Sequence, residues 1–385
     1  MKKLRLGIVG LGNMGRAHCS TILEGKVPRC ELTAVCDSNP EKLTSYADLK
    51  SFTDVSAMIT SGEIDAILIA TPHYSHTTIG IEALNAGLHV LVEKPISVHK
   101  ADCERLIKAH RSRKQVFAAM FNQRTDPFYQ KVRHLVQGGE LGKIRRINWI
   151  ITDWFRTEAY YASGGWRATW GGEGGGVLLN QCPHNLDLYQ WIFGMPVKVR
   201  GFCQFGRYHK IEVEDDVTAY FEHENGATGV FITSTGEAPG TNRLEVVGEQ
   251  GRLVVENNRI LYTRNEVQTS EFSRTTTSGF SRPPVWDVEI PAPSTRGEQH
   301  LGILKNFTET ILDGGKLIAP AAEGIHSVEL ANSIILSSLQ GKTLDVPISA
   351  PVYEKELRKL IASSTVKKPT PKRKVRDLSD FSKSF

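Results

Sequence analysis

The stretch LRLGIVGLGNMG, Leu4–Gly15, decides how the first part of this chain folds. Its opening run LRLGIV is largely apolar and β-rich, which predicts a buried strand. The glycines that follow, Gly10, Gly12 and Gly15, form the pattern GxGxxG where the strand passes into a helix. Glycines so placed permit a tight turn, close approach of the backbone to a pyrophosphate, and close packing of helix on strand. The stretch therefore predicts a dinucleotide-binding loop.

Four further β-rich runs continue the pattern up to about residue 122, with helical spacing between them. The predicted strands are Leu4–Val9, Glu31–Cys36, Ala66–Ala70, His89–Val92 and Val116–Ala119, with helices expected after Met14, Glu41, Thr77 and His99. Because strands alternate with helices, right-handed crossovers should produce a doubly wound parallel sheet. The predicted fold class is α/β, with a Rossmann domain over residues 1–122 that binds ligands at the carboxyl ends of its strands.

Beyond residue 122 the pattern changes to one helix followed by neighbouring strands with turn signals. The predicted helix is Pro127–Val136, and the strands are Val197–Gln204, Asp216–Glu222, Ala227–Thr233, Arg243–Val247, Gly251–Val255 and Arg259–Thr263. Two more helices are expected over Glu298–Leu312 and Ala321–Leu339, after the weakly patterned stretch Glu266–Arg296. This predicts a C-terminal α+β domain over 123–350 with a large, mainly antiparallel sheet, followed by an extension over 351–385.

Composition and charge narrow the class of protein. A chain of 385 residues with 40% hydrophobic and 23% charged residues is typical of two globular domains. The formal net charge of +5 comes entirely from the last twenty residues, which hold seven Lys or Arg and two Asp. We expect this tail to be partly disordered and the neutral body not to bind nucleic acid. Six scattered cysteines and short apolar runs predict a cytoplasmic protein without a metal site or membrane span.

The cofactor is predicted from the end of the second strand. Asp37 lies 22 residues beyond Gly15, where a carboxylate can accept hydrogen bonds from ribose hydroxyls. It would repel a ribose 2′-phosphate, and the neighbouring Ser38 offers no positive charge, so NAD is favoured over NADP, with dual use left open. Asn13 and Met14 begin the helix whose free N–H groups should receive the pyrophosphate. Alternatively, Asp37 could simply cap a turn.

Two other segments follow predicted strands at the same edge of the sheet. The first comprises Thr71, Pro72, His73 and His76, and the second Glu93, Lys94 and Pro95. A lone Glu-Lys-Pro tripeptide would be a charged turn. At the carboxyl end of a Rossmann strand, however, the lysine is expected to point toward the nicotinamide. We therefore count these residues among the cofactor contacts and Lys94 as a catalytic candidate.

A glycine-rich segment in the second domain, Gly174–Asn180, leads into a predicted helix that begins near Pro183. Asn180 and His184 are four residues apart and would share a face if the turn continues through the proline. An isolated histidine near a helix start usually belongs to the core or caps the helix. Combined with Lys94, His184 and Asn180 instead become candidates for the reacting centre.

Together these motifs make the chain resemble the glucose-fructose oxidoreductase and inositol dehydrogenase family (Gfo/Idh/MocA), over about Leu4 to Pro347. The resemblance implies that Lys94 and His184 flank the substrate carbinol beside the nicotinamide. Position 180 is Asn where many members have Asp, and Asn can orient a hydroxyl but cannot accept its proton. The resemblance also implies a homodimer or homotetramer formed through the exposed face of the second sheet.

The predicted reaction is reversible oxidation of a secondary hydroxyl on a sugar, glycoside or cyclitol with NAD, at C3 for a glycoside. Either Lys94 or His184 must then take the hydroxyl proton. Aromatic and basic residues between the domains are the candidates for binding the substrate, although any single aromatic could instead fill the core. These candidates are Arg156, Tyr161, Trp166 and Arg167, with Asn122 and Arg124 expected beside the nicotinamide or substrate.

Four other functions are compatible with parts of this pattern. Cys182 and His184 are too few for a zinc site, and a Cys182 nucleophile would leave the glycine loop and Lys94 unexplained. The resemblance also admits an NAD-dependent glycosidase without net redox change, and a regulator that binds the nicotinamide cofactor without catalysis. Intact Lys94 and His184 argue against the regulator, whereas the basic tail mildly favours it.

Overall fold

A computed structural model describes residues 2–293 and 295–365 of the chain. Its N-terminal part contains a six-stranded parallel sheet in the order β3-β2-β1-β4-β5-β6. The strands are β1 Leu4–Val9, β2 Cys30–Cys36, β3 Lys50–Phe52, β4 Ala66–Ile69, β5 His89–Val92 and β6 Phe117–Ala119. The strand order reverses between β1 and β4, which places a ligand crevice at their carboxyl ends. The predicted doubly wound Rossmann sheet is confirmed.

Helices cover both faces of this sheet. They are α1 Asn13–Leu23, α2 Val55–Thr60, α3 His73–Asn85 and α4 Lys100–Ala109. The helix expected after Glu41 is a 3₁₀ helix, Pro40–Tyr46, and it leads into β3, which the sequence pattern did not predict. β3 has three residues at an exposed edge of the sheet, so no apolar run marks it.

The second sheet has nine strands in the order β14-β13-β12-β11-β7-β10-β9-β8-β15. The strands are β7 Ile144–Ile151, β8 Lys198–Phe205, β9 Glu214–Glu222, β10 Thr228–Ser234, β11 Asn242–Gly248, β12 Gly251–Glu256, β13 Arg259–Asn265, β14 Val285–Ile290 and β15 Leu344–Asp345. All neighbours are antiparallel except β7 and β10, which run parallel. The predicted mainly antiparallel sheet is confirmed, but its central strand β7 was missed because charged residues interrupt its apolar positions.

Seven α-helices complete the described chain, together with 3₁₀ helices at Asn122–Thr125 and Ala321–Glu323. The α-helices are α5 Pro127–Gln137, α6 Glu158–Ala162, α7 Pro183–Phe193, α8 Thr269–Thr275, α9 Gln299–Asp313, α10 Gly324–Gln340 and α11 Ala350–Ser363. Within the described residues, every helix is too short or too polar to cross a lipid bilayer. The predicted extension over 351–385 starts inside α11, which buries Tyr353 and Leu357 in the core of the second sheet. Residues 366–385, to which the basic-tail prediction applies, lie outside the described residues.

The chain crosses between the two parts more than once. Ile303, Leu304 and Phe307 of α9 are buried in the core of the Rossmann sheet, although they come from the C-terminal region of the sequence. The segment around Ala319 also bonds to β6, because the amide of Ala119 donates to its carbonyl at 3.0 Å. These returns bring the start of α9 to the mouth of the ligand crevice.

Candidate active site

The glycine loop has the geometry that a pyrophosphate cradle needs. Gly10 has φ +89° and passes so close to the next strand that a Cβ would lie 2.7 Å from the carbonyl oxygen of Ala70. A Cβ on Gly15 would lie 1.8 Å from the carbonyl oxygen of Gly10. Gly12 differs, because a Cβ there would meet nothing within 4 Å. The backbone at Gly12 is therefore open to the crevice at the N-terminus of α1, as a bound phosphate requires.

Asp37 lies at the end of β2 and is held in place by three donors. Its carboxylate accepts hydrogen bonds from the amides of Leu11 at 2.7 Å and Asn39 at 2.9 Å, and from Lys42 Nζ at 3.0 Å. Burial alone would raise its pKa, but these hydrogen bonds hold the pKa of Asp37 below its ordinary value. Asp37 is therefore ionised beside the cradle. Lys42 is a nearby cation that the sequence analysis did not consider, while Ser38 is exposed and does not line the cleft.

A cleft of about 530 Å³ runs from this cradle to the second domain. It brings together most of the residues predicted from the sequence: Gly10, Gly12, Asn13, Met14, Asp37, Thr71, Pro72, His73, His76, Glu93, Lys94, Arg156, Trp166, Arg167, Asn180 and His184. It also contains residues that were not predicted: Lys42, Trp154, Tyr160, Gln181 and His300. One continuous space thus joins the nucleotide cradle to the catalytic candidates.

Lys94 follows β5 and reaches across the cleft to the second domain. Its Nζ donates a hydrogen bond of 2.8 Å to the backbone carbonyl of Asn180. Burial lowers the pKa of Lys94, Glu93 and Glu173 act in the opposite direction, and Arg167 reinforces the lowering. A lysine with a lowered pKa exchanges a proton more readily near neutral pH.

The two segments at the sheet edge are tied to one another. The ring nitrogens of His76 lie 2.8 Å from the carbonyl oxygens of Pro95 and Thr71. Glu93 lies behind Lys94 and pairs with His18 at 2.8 Å. Burial would raise the pKa of Glu93, but the hydrogen bond from His18 helps to lower it to about 2. The loop that carries Lys94 is therefore anchored by buried polar contacts.

His184 lies in the first turn of α7 and lines the same cleft. Its side chain is buried, and burial together with the charge of Lys94 lowers its pKa far below the ordinary histidine value. It is therefore neutral at physiological pH. Asn180 precedes α7 in a turn, where its amide donates to the carbonyl of Gly176 at 3.0 Å. The two residues share the cleft, although no single helix carries both.

A buried carboxylate stands behind Asn180. Glu173 is 1% exposed and accepts a short hydrogen bond from the Asn180 side-chain amide and another from the amide of Ala168 at 2.6 Å. Because Nδ2 of Asn180 is turned toward Glu173, its Oδ1 faces the hydroxyl of Tyr160 at 3.3 Å. Position 180 thus lacks an acid, but a carboxylate lies directly behind it.

Aromatic and guanidinium groups form the outer wall of the cleft. Arg167 stacks over Tyr160 and Trp166, each 4.7 Å from its ring centroid, and donates to the Tyr160 hydroxyl at 2.9 Å. Arg156 lies over Tyr160 and Trp154 at 5.3 and 5.6 Å. Such a wall offers apolar faces to C–H groups and donors to hydroxyls.

Tyr161, Asn122 and Arg124 were predicted to touch the ligand, but the structure places them outside the cleft. Tyr161 is buried, and its hydroxyl donates to Thr235 at 2.8 Å. Asn122 is fully buried and donates to Gln299 at 2.7 Å. These side chains connect elements behind the cleft, which residue order alone could not reveal.

Arg124 forms a buried bidentate ion pair with Asp187 of α7. The Nε and Nη2 atoms donate at 2.7 and 2.6 Å, and both side chains are 1% exposed. Nη1 also donates to Glu323 at 2.5 Å. Arg124 therefore connects the end of the Rossmann sheet to α7, and its guanidinium does not line the cleft.

Replacing Arg124 with Met should lower the free energy of unfolding by about 3–5 kcal/mol, because Asp187 would remain buried without its partner. The urea midpoint of the cofactor-free protein measures this loss. The double variant Arg124→Met, Asp187→Leu is the control, since removing both charges should restore most of the stability. A single variant as stable as the wild type would contradict a structural role for the pair.

No group of three His, Cys, Asp or Glu side chains among the described residues could hold a metal ion. Cys182, weighed above as a ligand or nucleophile, places its Sγ 2.8 Å from the Thr233 hydroxyl. Burial raises the pKa of Cys182 to about 12, so the sulfur stays a thiol at neutral pH. The geometry around Cys182 is that of a core residue.

His300 lies at the start of α9 and also lines the cleft. Its ring lies 5.7 Å from that of His18, and burial lowers its pKa to about 4. In the sequence it follows the weakly patterned stretch Glu266–Arg296, and no motif there predicted a role for it. Only the return of α9 to the Rossmann core brings it to Lys94.

Comparison with known proteins agrees with this geometry. A family model described as "Oxidoreductase family, NAD-binding Rossmann fold" matches residues 4–121, and one for the "GFO/IDH/MocA C-terminal domain" matches residues 129–254. Two named relatives are similar over nearly their whole length. Levoglucosan dehydrogenase of Pseudarthrobacter phenanthrenivorans is 24% identical over 90% of this chain and 99% of its own, and inositol 2-dehydrogenase of Rhizobium meliloti is 22% identical over 89% and 99%.

A solved structure shows the same architecture. The WlbA dehydrogenase from Bordetella pertussis, in complex with NADH and UDP-GlcNAcA, superposes with a TM-score of 0.75 at 25% identity. The match covers 90% of this chain and 100% of that one. The N-terminal domain and the first part of the C-terminal domain thus match two domain models of one family, and the cradle fits its cofactor. This protein therefore belongs to the GFO/IDH/MocA family of oxidoreductases, whose N-terminal domain is an NAD-binding Rossmann fold.

Proposed function

We propose that this protein is an NAD-dependent dehydrogenase that reversibly oxidises a secondary hydroxyl of a sugar, glycoside or cyclitol, at C3 when the substrate is a glycoside. The observation that carries the proposal is the presence of Lys94, Asn180 and His184 in one cleft with the nucleotide cradle. The names of the levoglucosan and inositol dehydrogenases, which are similar over about nine-tenths of this chain, support a polyhydroxylated substrate.

The reaction requires two transfers from one carbinol. The glycine loop and Asp37 would hold NAD, which would supply the acceptor for the hydride of the carbinol carbon. The protein must take the hydroxyl proton, so that the products are a ketone, NADH and one proton passed to solvent. Oδ1 of Asn180 is oriented by Glu173 to accept a hydrogen bond, and it would hold a neighbouring substrate hydroxyl. The hydrogen bond to Glu173 fixes the orientation of the Asn180 side chain before substrate binds.

Lys94 is the base in this proposal. A general base works best when its pKa lies near the operating pH. Burial lowers the pKa of His184 far below neutrality, which makes it a weak proton acceptor. Lys94 starts from a much higher ordinary value, and the nearby carboxylates limit its decrease. His184 then serves as a neutral hydrogen-bonding partner of the reacting hydroxyl.

The wall formed by Trp166, Tyr160, Arg156 and Arg167 would bind the rest of the substrate. Aromatic faces pack against sugar C–H groups, and guanidinium groups donate to ring oxygens and hydroxyls. Trp166 also contacts His73 edge-on, with ring centroids 5.6 Å apart. The substrate wall is thus joined directly to the segment that follows β4.

The variant Glu173→Gln should shift the rising limb of the kcat–pH profile to lower pH. Glu173 raises the pKa of Lys94, so removing its charge lets that pKa decrease, and the unprotonated amine then forms at lower pH. The other titratable or charged groups near Lys94 are Glu93, Arg156, Arg167, His73, His76, His184 and His300. The pH dependence of kcat at saturating substrate measures the shift.

Glu212→Gln is the matched control for that variant. The Glu212 carboxylate accepts a hydrogen bond of 2.8 Å from the backbone amide of Trp170, which lies three residues before Glu173. Glu212 does not line the cleft. Its substitution therefore neutralises a carboxylate that accepts a comparable backbone hydrogen bond, without changing the charge near Lys94. If the rising limb of the kcat–pH profile does not move in Glu173→Gln, or moves equally in both variants, Glu173 has no electrostatic role.

The test of the proposed function is NADH formation from NAD with a panel of substrates: myo-inositol, scyllo-inositol, free sugars, glucosides and nucleotide sugars. Formation that depends on Lys94 supports the proposal and identifies the substrate class. Cleavage of an aryl glycoside that requires NAD but accumulates no NADH would replace it with a redox-neutral glycosidase. Tight NAD binding without turnover of any compound would favour a sensor.

A homodimer or homotetramer is part of the proposal. On the face turned away from the core, the strands of the second sheet expose three large apolar side chains: Phe202, Tyr220 and Leu261. Covering such a face by a second copy would remove this surface from water. Size-exclusion chromatography with light scattering measures the molar mass of the assembly, and the mass of a monomer would contradict this part of the proposal.

We also propose a cytoplasmic location. It rests on the six free cysteines, five of which are buried.

A further inference from the structure

A second cavity, of about 520 Å³, adjoins the cleft. Trp154 and Arg156 line both spaces, so these side chains form the boundary between them. The second cavity lies between the start of α5, the start of α9 and the turn that joins β12 to β13. Its volume is within the range of sites that bind small molecules, about 300–1,000 Å³. A ligand that extends past Arg156 would enter it.

The lining of this second cavity offers donors and acceptors in similar numbers. Amide side chains are the most numerous polar groups, among them Gln123, Asn185 and Asn258. The charged groups are two carboxylates and two guanidinium groups: Asp126, Asp153, Arg156 and Arg296. Because the charges balance, the cavity favours an uncharged ligand with many hydroxyls over a phosphate.

One buried group of this lining has hydrogen-bonding capacity that the fold does not use. The side-chain oxygen of Gln123 is buried, and no group in the described parts of the chain bonds to it. Asp126 accepts hydrogen bonds from the amide of Phe128 at 2.9 Å and from Gln299 Nε2 at 3.4 Å. The exposed Arg296 lies within electrostatic range of Asp126 and Asp153. A buried polar group normally has a partner, and a bound ligand would supply one to Gln123.

Aromatic rings occupy one side of the same space. Phe128 and Tyr129 lie edge to face, with ring centroids 5.7 Å apart, next to the indole of Trp154. The Trp154 N–H donates to Oδ1 of Asn185 at 3.1 Å, which orients that amide within the lining. Aromatic faces beside amides and arginines repeat the chemistry of the substrate wall in the cleft.

We propose that the second cavity binds a second, uncharged, hydroxyl-rich ring that is joined by a glycosidic bond to the ring oxidised in the cleft. This inference rests on the proposed function and narrows it. The preferred substrate is then a glycoside with a sugar as its second unit, rather than a free monosaccharide or a cyclitol. Arg296 and Asn258 contact only the second unit, since they line this cavity and not the cleft.

The test compares kcat/KM for disaccharides with kcat/KM for the corresponding monosaccharides, in the wild type and in Arg296→Met. Arg296 is exposed and lies outside the cleft, so its loss should not alter the chemistry at Lys94. Loss of a hydrogen bond from a charged group should lower kcat/KM for a disaccharide by about 10- to 100-fold and leave the monosaccharide value unchanged. Arg282→Met, at an exposed arginine away from both cavities, is the control.

A second variant, Ala292→Trp, fills the cavity from a partly buried position in its wall. It should exclude the disaccharide while monosaccharide turnover continues. Turnover of monosaccharides with no preference for disaccharides, and no effect of either variant, would overturn the inference and leave the proposed function intact. A preference for nucleotide sugars that depends on Arg296 would overturn it in favour of a charged second unit.

Failure of the proposed function itself gives a different result, because no member of the panel would then be oxidised. Calorimetric titration of disaccharides into the NADH-loaded protein still tests the cavity in that case. Binding that Arg296→Met weakens and Arg282→Met leaves unchanged would support the second site without catalysis. Absence of binding to any disaccharide would overturn it.

Discussion

Replacing Lys94 with alanine is expected to lower kcat by about 100- to 10,000-fold, the contribution typical of a positioned acid–base group. Nζ of Lys94 lies 2.8 Å from the carbonyl oxygen of Asn180 in the cleft, whereas Lys42, the other lysine among the described residues that line it, contacts Asp37. Affinity for NADH should be nearly unchanged, because the glycine loop and Asp37 hold the nucleotide. Steady-state kinetics together with an NADH fluorescence titration measures both quantities.

Lys42→Ala is the matched control, because Lys42 lines the same cleft but contacts Asp37 at the adenosine end. This variant should change the KM for the cofactor and leave kcat close to the wild-type value. The pair therefore separates loss of a base from loss of a positive charge in the cleft. Turnover of Lys94→Ala near the wild-type rate would remove Lys94 from the mechanism and leave His184 as the base.

The second large effect is a loss of affinity for NADH when alanine replaces Gly12 or Gly15 of the glycine loop. Only the Gly15 substitution should also lower the stability of the protein. Gly12→Ala adds a methyl group where nothing lies within 4 Å, at a residue with φ −71° that alanine adopts without strain. Stability of the cofactor-free protein should be unchanged. The methyl group would occupy the space of the pyrophosphate, and overpacking of about 1–3 kcal/mol corresponds to an affinity for NADH roughly 5- to 150-fold weaker.

Gly15→Ala should lower both stability and cofactor affinity. Its Cβ would lie 1.8 Å from the carbonyl oxygen of Gly10, a backbone atom that can move only if the loop and α1 separate. We expect a loss of about 1–3 kcal/mol in the free energy of unfolding even without cofactor. Thermal unfolding and NADH titration of both variants test the distinction. Wild-type affinity for NADH in Gly12→Ala would show that the pyrophosphate does not lie over this residue.

Local patterns predicted five of the six strands of the parallel sheet and most of the residues that line the cleft. The glycine loop, Asp37, the segment after β4 and the Glu-Lys-Pro segment each follow a strand directly, and parallel strands end at one edge of a sheet. Their meeting could therefore be predicted without coordinates. The central strand β7 was missed because Arg145, Arg146 and Asn148 interrupt its apolar positions. Burial by strands on both sides, rather than residue pattern, stabilises it.

The assignments that differed from the structure concern residues whose partners lie far away along the chain. Arg124 looked like a ligand contact from its place after β6, but its partners are Asp187 and Glu323, 63 and 199 residues away. Tyr161 similarly bonds to Thr235 rather than facing the cleft. A buried arginine must find a carboxylate, and only the packing of α7 against the end of the Rossmann sheet decides which carboxylate that is.

The sequence by itself determined the Rossmann fold, predicted NAD as the cofactor and supplied Lys94, Asn180 and His184 as candidates for the reacting centre, because each lies within a few residues of a strand or helix end. Only the tertiary structure decided that Glu173 lies behind Asn180, that His300 closes the cleft and that a second cavity adjoins it. Such contacts depend on where α9 and the second sheet pack. That packing depends on many contacts between side chains that are far apart in the sequence, so it cannot be predicted from any short stretch of residues.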